Sequence, residues 1–278
     1  MRKIFTAMGV VLVAVVFLVS APAWAKDKYI MGVHPYKPVG ELHKIFKPIA
    51  DYLSTKLGKP VELQFGKTYE DAVNKIGNGE FDFAYLGPTI YVQAADKFKV
   101  IPLVQIINSG SPSFYGEVLV KKDSGITSMK DLKGKSFAFG DRDSTLTHVL
   151  PLYMLMEAGV NLEDLKKYAF IGSHDNVAMG VATGAFDAGE LMPDIAAKYM
   201  DRGLMVMAKS PELPEHVFVA TKKTDKETSA KLQNALLAME PTLYKAIKPT
   251  LTGLQKFDDK DFDILRKILK KVEKEVVK

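Results

Sequence analysis

Residues 136–151 read S-F-A-F-G-D-R-D-S-T-L-T-H-V-L-P. A short apolar run, Phe137, Ala138 and Phe139, stops at Gly140 and Asp141. Ser144 and Thr145 then open a helix whose apolar side carries Val149, Leu150, Leu152 and Tyr153. The spacing predicts a strand over 136–139 and a helix over 145–158, joined by a tight polar turn, the unit from which α/β sheets are built. Ser and Thr at a helix start cap backbone N–H groups that have no intrahelical acceptor. A helix N-terminus also carries partial positive charge, so two adjacent hydroxyls, with Thr147 and His148 one turn on, form a seat for a tetrahedral oxyanion. On this stretch alone, an over-supplied helix cap remains the other explanation.

The alternation extends outward in both directions. Strands are expected over 29–33, 61–65, 81–86 and 100–107, with helices over 42–57, 69–76 and 89–97 between them. Past the linker-like N-S-G-S-P-S at 108–113 come strands over 115–120, 168–171, 186–190 and 204–208, with a helix over 175–183. A second break, S-P-E-L-P at 210–214, precedes a strand over 216–220 and a set of closing helices. Such alternation argues for α/β layers with parallel strands. Two breaks imply two lobes in which the second is inserted into the first. The expected boundaries are 26–112 and 213–278 for one lobe and 113–212 for the other, with a two-segment hinge near 108–115 and 208–216 and a ligand cleft between them.

An internal echo supports related halves. T-Y-E-D-A-V-N-K-I-G-N-G-E-F-D-F-A-Y-L-G-P begins at Thr68, and S-H-D-N-V-A-M-G-V-A-T-G-A-F-D-A-G-E-L-M-P begins at Ser173. Without gaps they align Gly79 with Gly184, Phe81 with Phe186, Asp82 with Asp187 and Pro88 with Pro193. The same alignment pairs Tyr69 with His174 and Tyr85 with Glu190. Helix starts and strand ends face the ligand crevice of open α/β sheets, which puts Tyr69 and Tyr85 on one lip and His174 and Glu190 on the other. His34 and Tyr36 follow the first strand, where crevice loops also lie.

Composition narrows the class. Arg2 and Lys3 precede an apolar run over 4–19, and A-W-A at 23–25 completes a secretory signal with cleavage expected after Ala25. Its loss takes the formal charge from +5 to +3, too mild for a nucleic-acid partner. With no cysteine in the chain there is no disulfide framework, thiolate metal site or cysteine nucleophile. The tail carries Phe262, Leu265, Ile268, Leu269 and Val272 at helical spacing, as expected of an amphipathic helix with a solvated basic face.

Ordered motifs run through this frame: P-Y-K-P at Pro35, F-K-P-I-A-D-Y-L-S-T-K-L-G-K-P-V at Phe46 and D-F-A-Y-L-G-P at Asp82. D-L-K-G-K-S-F-A-F-G-D at Asp131, S-T at Ser144, G-S-H-D at Gly172 and S-P-E-L-P-E at Ser210 follow. Up to about Thr221 the chain resembles the periplasmic solute-binding proteins of phosphate/phosphite/phosphonate ABC importers. The resemblance implies the type II periplasmic binding protein fold, no catalysis, no cofactor and no metal. It implies an oxyanion seat at Ser144 and Thr145, with Tyr69 donating from the facing lobe and His174 reaching in from a helix start. Tyr85, Phe114 and Tyr115 would line the pocket.

Two departures bear on specificity. The family reads S-T-S-G where this chain reads S-T-L-T, so Leu146 removes a hydroxyl and Thr147 replaces a glycine. Relatives that take aminoalkyl phosphonates place carboxylates around the amine; here Asp194 stands at one such position and His216 at the other.

The leading expectation is a monomeric periplasmic protein that captures a small phosphorus oxyanion for an inner-membrane ABC permease. Delivery to a membrane sensor kinase or chemoreceptor is the alternative. A secreted hydrolase would need a G-x-S-x-G elbow or an H-E-x-x-H zinc motif, and the sequence has neither. A metal carrier built on His34, His148, His174 and His216 would lack close ligand spacing and acidic companions.

Overall fold

The structure, a computed structural model, describes residues 27–276. The segment read as a signal peptide, with its cleavage site, lies outside the described residues. The chain begins β1 (Tyr29–Val33), α1 (Val39–Leu57), β2 (Val61–Phe65), α2 (Tyr69–Asn78), β3 (Phe83–Leu86), α3 (Pro88–Phe98) and β4 (Ile101–Asn108). A two-residue strand β5 (Ser113–Phe114) leads to β6 (Glu117–Lys121) and β7 (Ser136–Phe139). A π turn over Thr145–Val149 runs into α4 (Leu150–Glu157), followed by β8 (Lys167–Phe170), α5 (His174–Thr183), β9 (Ala188–Leu191), α6 (Pro193–Ala196) and β10 (Leu204–Lys209). The chain returns through β11 (Leu213–Pro214) and β12 (Val217–Ala220) to α7 (Lys226–Leu237), α8 (Pro241–Ile247), β13 (Leu251–Gln255) and α9 (Asp263–Val276).

Two main sheets result, one ordered β13-β4-β12-β3-β1-β2 and the other β10-β6-β9-β7-β8. They share a plan. In the first, β2, β1 and β3 are parallel and β12 and β4 follow antiparallel to their neighbours. In the second, β8, β7 and β9 are parallel, with β6 and β10 antiparallel to theirs. Between the sheets β5 pairs with β11, so the outgoing and returning segments cross side by side. The echo in the sequence is thereby given a physical cause. Thr68 caps α2 by accepting from Asp71 N–H, and Ser173 caps α5 by accepting from Asn176 N–H. The two G-x-F-D aspartates are equally matched: Asp82 accepts from the N–H of Ile30 on β1, and Asp187 from that of Ser136 on β7.

Three elements differ from expectation. The helix over 145–158 opens as a π turn, in which Val149 N–H reaches back to Ser144 C=O at 3.0 Å. Pro151 has no N–H to offer Thr147 C=O four residues back; that carbonyl instead accepts from Gly140 N–H at 2.9 Å, tying the helix start to the end of β7. The strand over 115–120 is split. Gly116 N–H turns to Ser210 Oγ at 2.8 Å, and a Cβ at Gly116 would stand only 2.0 Å from Glu190 Oε1, so the chain bends there rather than continuing the ladder. The closing region, read as helices only, also contains β13, which pairs with the open edge of β4. The final helix α9 packs on both α3 and α4, so it contacts helices belonging to both sheets.

Candidate functional site

A small cavity lies where the two sheets face one another. Its lining is a set of helix beginnings. Tyr69 is the first residue of α2, Gly87 and Pro88 start α3, and Ser144, Thr145 and Leu146 start the π turn. His174 is the first residue of α5 and Met192 caps α6. Each of these helices follows a parallel strand, β2, β3, β7, β8 and β9, so all five present their N-termini at the carboxyl edges of the sheets. Five positive helix ends therefore converge on one small volume. No lysine or arginine is among the residues lining it.

Side chains complete the donor set. Ser144 Oγ accepts from Thr147 N–H at 3.2 Å, and its hydroxyl meets the Tyr69 hydroxyl in a hydrogen bond across the cavity. Burial, followed by the charge of Asp141, holds the Tyr69 phenol well above its ordinary pKa, so it remains an O–H donor. His174 Nδ1 accepts from Met192 N–H at 3.2 Å. Burial, then His216 and Lys37, push its pKa down to about 3, which keeps the ring neutral. Behind the cavity the rings stack: His34 on Tyr85 at 5.9 Å, Tyr85 on His216 at 5.2 Å, with Phe114 edge-on to His216 at 5.3 Å.

The two halves touch across the cleft. Thr89 N–H donates to Thr145 Oγ1 at 3.0 Å, the two threonine hydroxyls lie 2.9 Å apart, and Gln93 Nε2 donates to Asp143 Oδ1 at 2.7 Å. These bonds join the start of α3 to the loop and turn after β7, so the cleft is closed in this structure.

Of the residues expected from sequence, Ser144, Thr145, Tyr69, His174, Phe114 and His216 share this cavity. Tyr85 and Asp194 line a small neighbouring cavity, with Tyr36, Lys37, Met192, Glu215, His216 and Lys248 among its walls. Thr147 is fully buried against Gly140, whose Cβ would approach Thr147 Oγ1 to 2.1 Å, and it points away from the cavity. His148 sits edge-on to Phe139 and Phe170 with Nδ1 toward Arg142 C=O, outside the lining. Tyr115 faces a separate open groove beside Lys209. Glu190, expected on the lip, is wholly buried behind Gly116. Gly87, Asp143, Leu146 and Met192 join the lining, as do His34 and Tyr36 from the loop after β1. Among the described residues, no group of three or more His, Asp or Glu side chains is placed to hold a metal ion.

Two sheets of one plan, a double crossing between them and a cleft ringed by helix starts define a two-lobed ligand-binding protein of the type II periplasmic class. Within that class the chain belongs to the phosphonate ABC transporter periplasmic substrate-binding protein family, whose model matches residues 31–262. It is 29% identical over 217 residues to the phosphate-import protein PhnD of Mycolicibacterium smegmatis, covering 72% of this chain and 68% of that protein. With the phosphonates-binding periplasmic protein of Escherichia coli K12 it shares 25% identity over 197 residues, 66% of this chain and 58% of the relative. The solved structure of PhnD1 from Prochlorococcus marinus in complex with methylphosphonate superposes with a TM-score of 0.82 at 24% identity, covering 89% of this chain and 99% of that one. At that identity the superposition speaks for the fold.

Proposed function

We propose that this protein captures a small tetrahedral phosphorus oxyanion (phosphite, phosphate or a simple phosphonate) and delivers it unaltered to an inner-membrane ABC permease. The observation that carries this reading is the convergence of five helix N-termini, with the Ser144 and Tyr69 hydroxyls and His174, on a cavity lined by no lysine or arginine. Desolvated hydrogen bonds to a charged acceptor contribute about 1.5–3 kcal/mol each, so a handful suffices for tight binding without a metal. In this reading the mature monomer begins after Ala25, its lobes span 26–112 with 213–278 and 113–212, and the β5–β11 crossing is the hinge. The family membership and the phosphate-import and phosphonate-binding names of its relatives support the same ligand class.

A thermal-shift screen tests it with phosphite, phosphate, methylphosphonate, 2-aminoethylphosphonate, sulfate and arsenate. A ligand that binds only the native state, at a hundred times its Kd, adds about 2.7 kcal/mol of stability. At least one phosphorus oxyanion should raise the Tm and be recovered chemically unchanged from the complex. No shift with any of them would sink the proposal.

A further inference from the structure

The final helix α9 lines neither cavity, but it lies across the join between the two sheets. Connectivity places it with the first sheet, directly after β13 and the short turn Asp259–Phe262. It packs on α3, which follows β3 of that sheet, and on α4 and the π turn, which follow β7 of the other. Leu265, Ile268 and Val272, along one side of the helix, are buried in this seat.

The two attachments are unequal. Toward α3 the hold is built from several bonds. Arg266 Nε and Nη2 reach Asp96 Oδ1 at 3.2 and 3.1 Å, and Nη2 also donates to Asp259 Oδ1 at 2.9 Å. Only 17% of the Arg266 side chain is exposed. Asp259 Oδ1 accepts the hydroxyl of Tyr91 on α3 at 2.6 Å as well, and the Tyr91 ring lies edge-on to Phe257 and Phe262 at 5.4 and 4.6 Å. Toward α4, further along the helix, Lys271 Nζ pairs with Glu157 Oε1 at 3.0 Å and stands 5.3 Å from the centre of the Tyr153 ring. Both side chains of that pair are more than half exposed, so water screens it and the hold is weak.

Opening the cleft must undo the bonds from α3 to the loop and turn after β7, Thr89 to Thr145 and Gln93 to Asp143. As α3 and α4 draw apart, α9 keeps one partner and leaves the other, and the weaker, more exposed hold is the one on α4. We propose that α9 is a strap, anchored on α3 and docked releasably on α4, that stabilises the closed cleft and comes off α4 when the lobes part. The strap rests on the two lobes and hinge put forward above, not on the identity of the ligand. Closure then has a support remote from the anion seat, and changes at the α9–α4 contact shift the balance of open and closed forms without altering a ligand-binding group.

The Thr89 amide reports that balance. It stands at the second position of α3, where a helix offers no acceptor, and bonds to Thr145 Oγ1 across the cleft, so it exchanges with solvent when the cleft opens. Hydrogen exchange read by NMR with no anion added tests the strap twice, and its failure there would leave oxyanion capture standing. The sequence has no cysteine, so Glu157→Cys with Lys271→Cys gives a single pair of thiols that a short bis-maleimide can link. Linking should slow Thr89 exchange roughly tenfold or more relative to the same variant with capped thiols. Equal rates in the two forms would show that α9 stays on α4 as the lobes part, and would overturn the proposal. Lys271→Glu sets like charges together and should speed Thr89 exchange about fivefold. Met31, in the middle of β1, should keep its rate, and adding Glu157→Lys should return Thr89 to the wild-type rate. An unchanged Thr89 rate in Lys271→Glu, equal acceleration at Met31, or no rescue by Glu157→Lys would overturn it as well.

Discussion

Removing the Ser144 hydroxyl should separate its two jobs. Ser144 caps the turn after β7 through a 3.2 Å bond from Thr147 N–H, and its hydroxyl, now paired with Tyr69, would turn to an anion in the cavity. Ser144→Ala loses the cap, worth about 1 kcal/mol of apo stability, and one charge-assisted bond, worth about 1.5–3 kcal/mol. With 1.4 kcal/mol per decade, Kd should rise by roughly one to two decades. Calorimetry with the tightest ligand gives Kd, and a melt of the ligand-free protein gives the stability loss. Asp225→Ala, the cap of α7 outside the cleft, is the control; it should lower Tm and leave Kd alone. A Ser144→Ala protein with lowered Tm and unchanged Kd would show that this hydroxyl is only a cap.

Gln93→Ala removes a cross-cleft bond to Asp143 and should speed ligand release about fivefold, the value of about 1 kcal/mol, while association stays as it was; phosphorus NMR line shapes report both rates. If the cleft opens at the β5–β11 crossing, the ligand-free protein should have a larger radius of gyration in solution scattering than the saturated one; equal values would refute the hinge. Glu190 is buried, and burial raises its pKa well above the ordinary carboxyl value against the opposing pull of the Ser210 hydroxyl. Folded Glu190 therefore keeps its proton to higher pH than unfolded Glu190, so stability falls as pH rises from the unfolded pKa through the folded one. Glu190→Gln should flatten that fall and raise Tm at pH 8, and a lower Tm there would contradict it. An ammonium group in the second cavity would find Asp194, but Glu215 is already held by His216 and Lys248. Competition calorimetry should therefore place 2-aminoethylphosphonate below methylphosphonate, and the reverse order would show that the acids there are free to bind it.

The doubled architecture was readable because the two halves reuse side chains with fixed local jobs. A Ser or Thr cap and a G-x-F-D aspartate that accepts from the neighbouring strand do the same work twice, and such work leaves residues in register. Tyr69 and His174 reach the cavity wall in this way, as first residues of equivalent helices. Thr147 and His148 lie outside that wall for an equally local reason. A period of 3.6 residues puts them one turn beyond the seat, but Pro151 and the π turn change that phase and pin Thr147 under Gly140. Glu215 could not be singled out, since its importance lies in the direction of the next residue's ring. Strand β13 reads as a weak segment because only the unpaired edge of β4 makes it a strand.

The five helix ends are shared unevenly: α2 and α3 belong with the first sheet, and the π turn, α5 and α6 with the second. No single lobe therefore possesses the electrostatic well; it exists only while the halves are together. Opening does more than uncover the anion, since it takes two of five dipoles away at the same instant and leaves the ligand on a shallower partial field. A site relying on one arginine would carry its full charge with it into the open state and would have to break an ion pair to discharge its cargo. Here the grip is dismantled by geometry alone, so a permease that pries the lobes apart needs no competing charge of its own to empty the site.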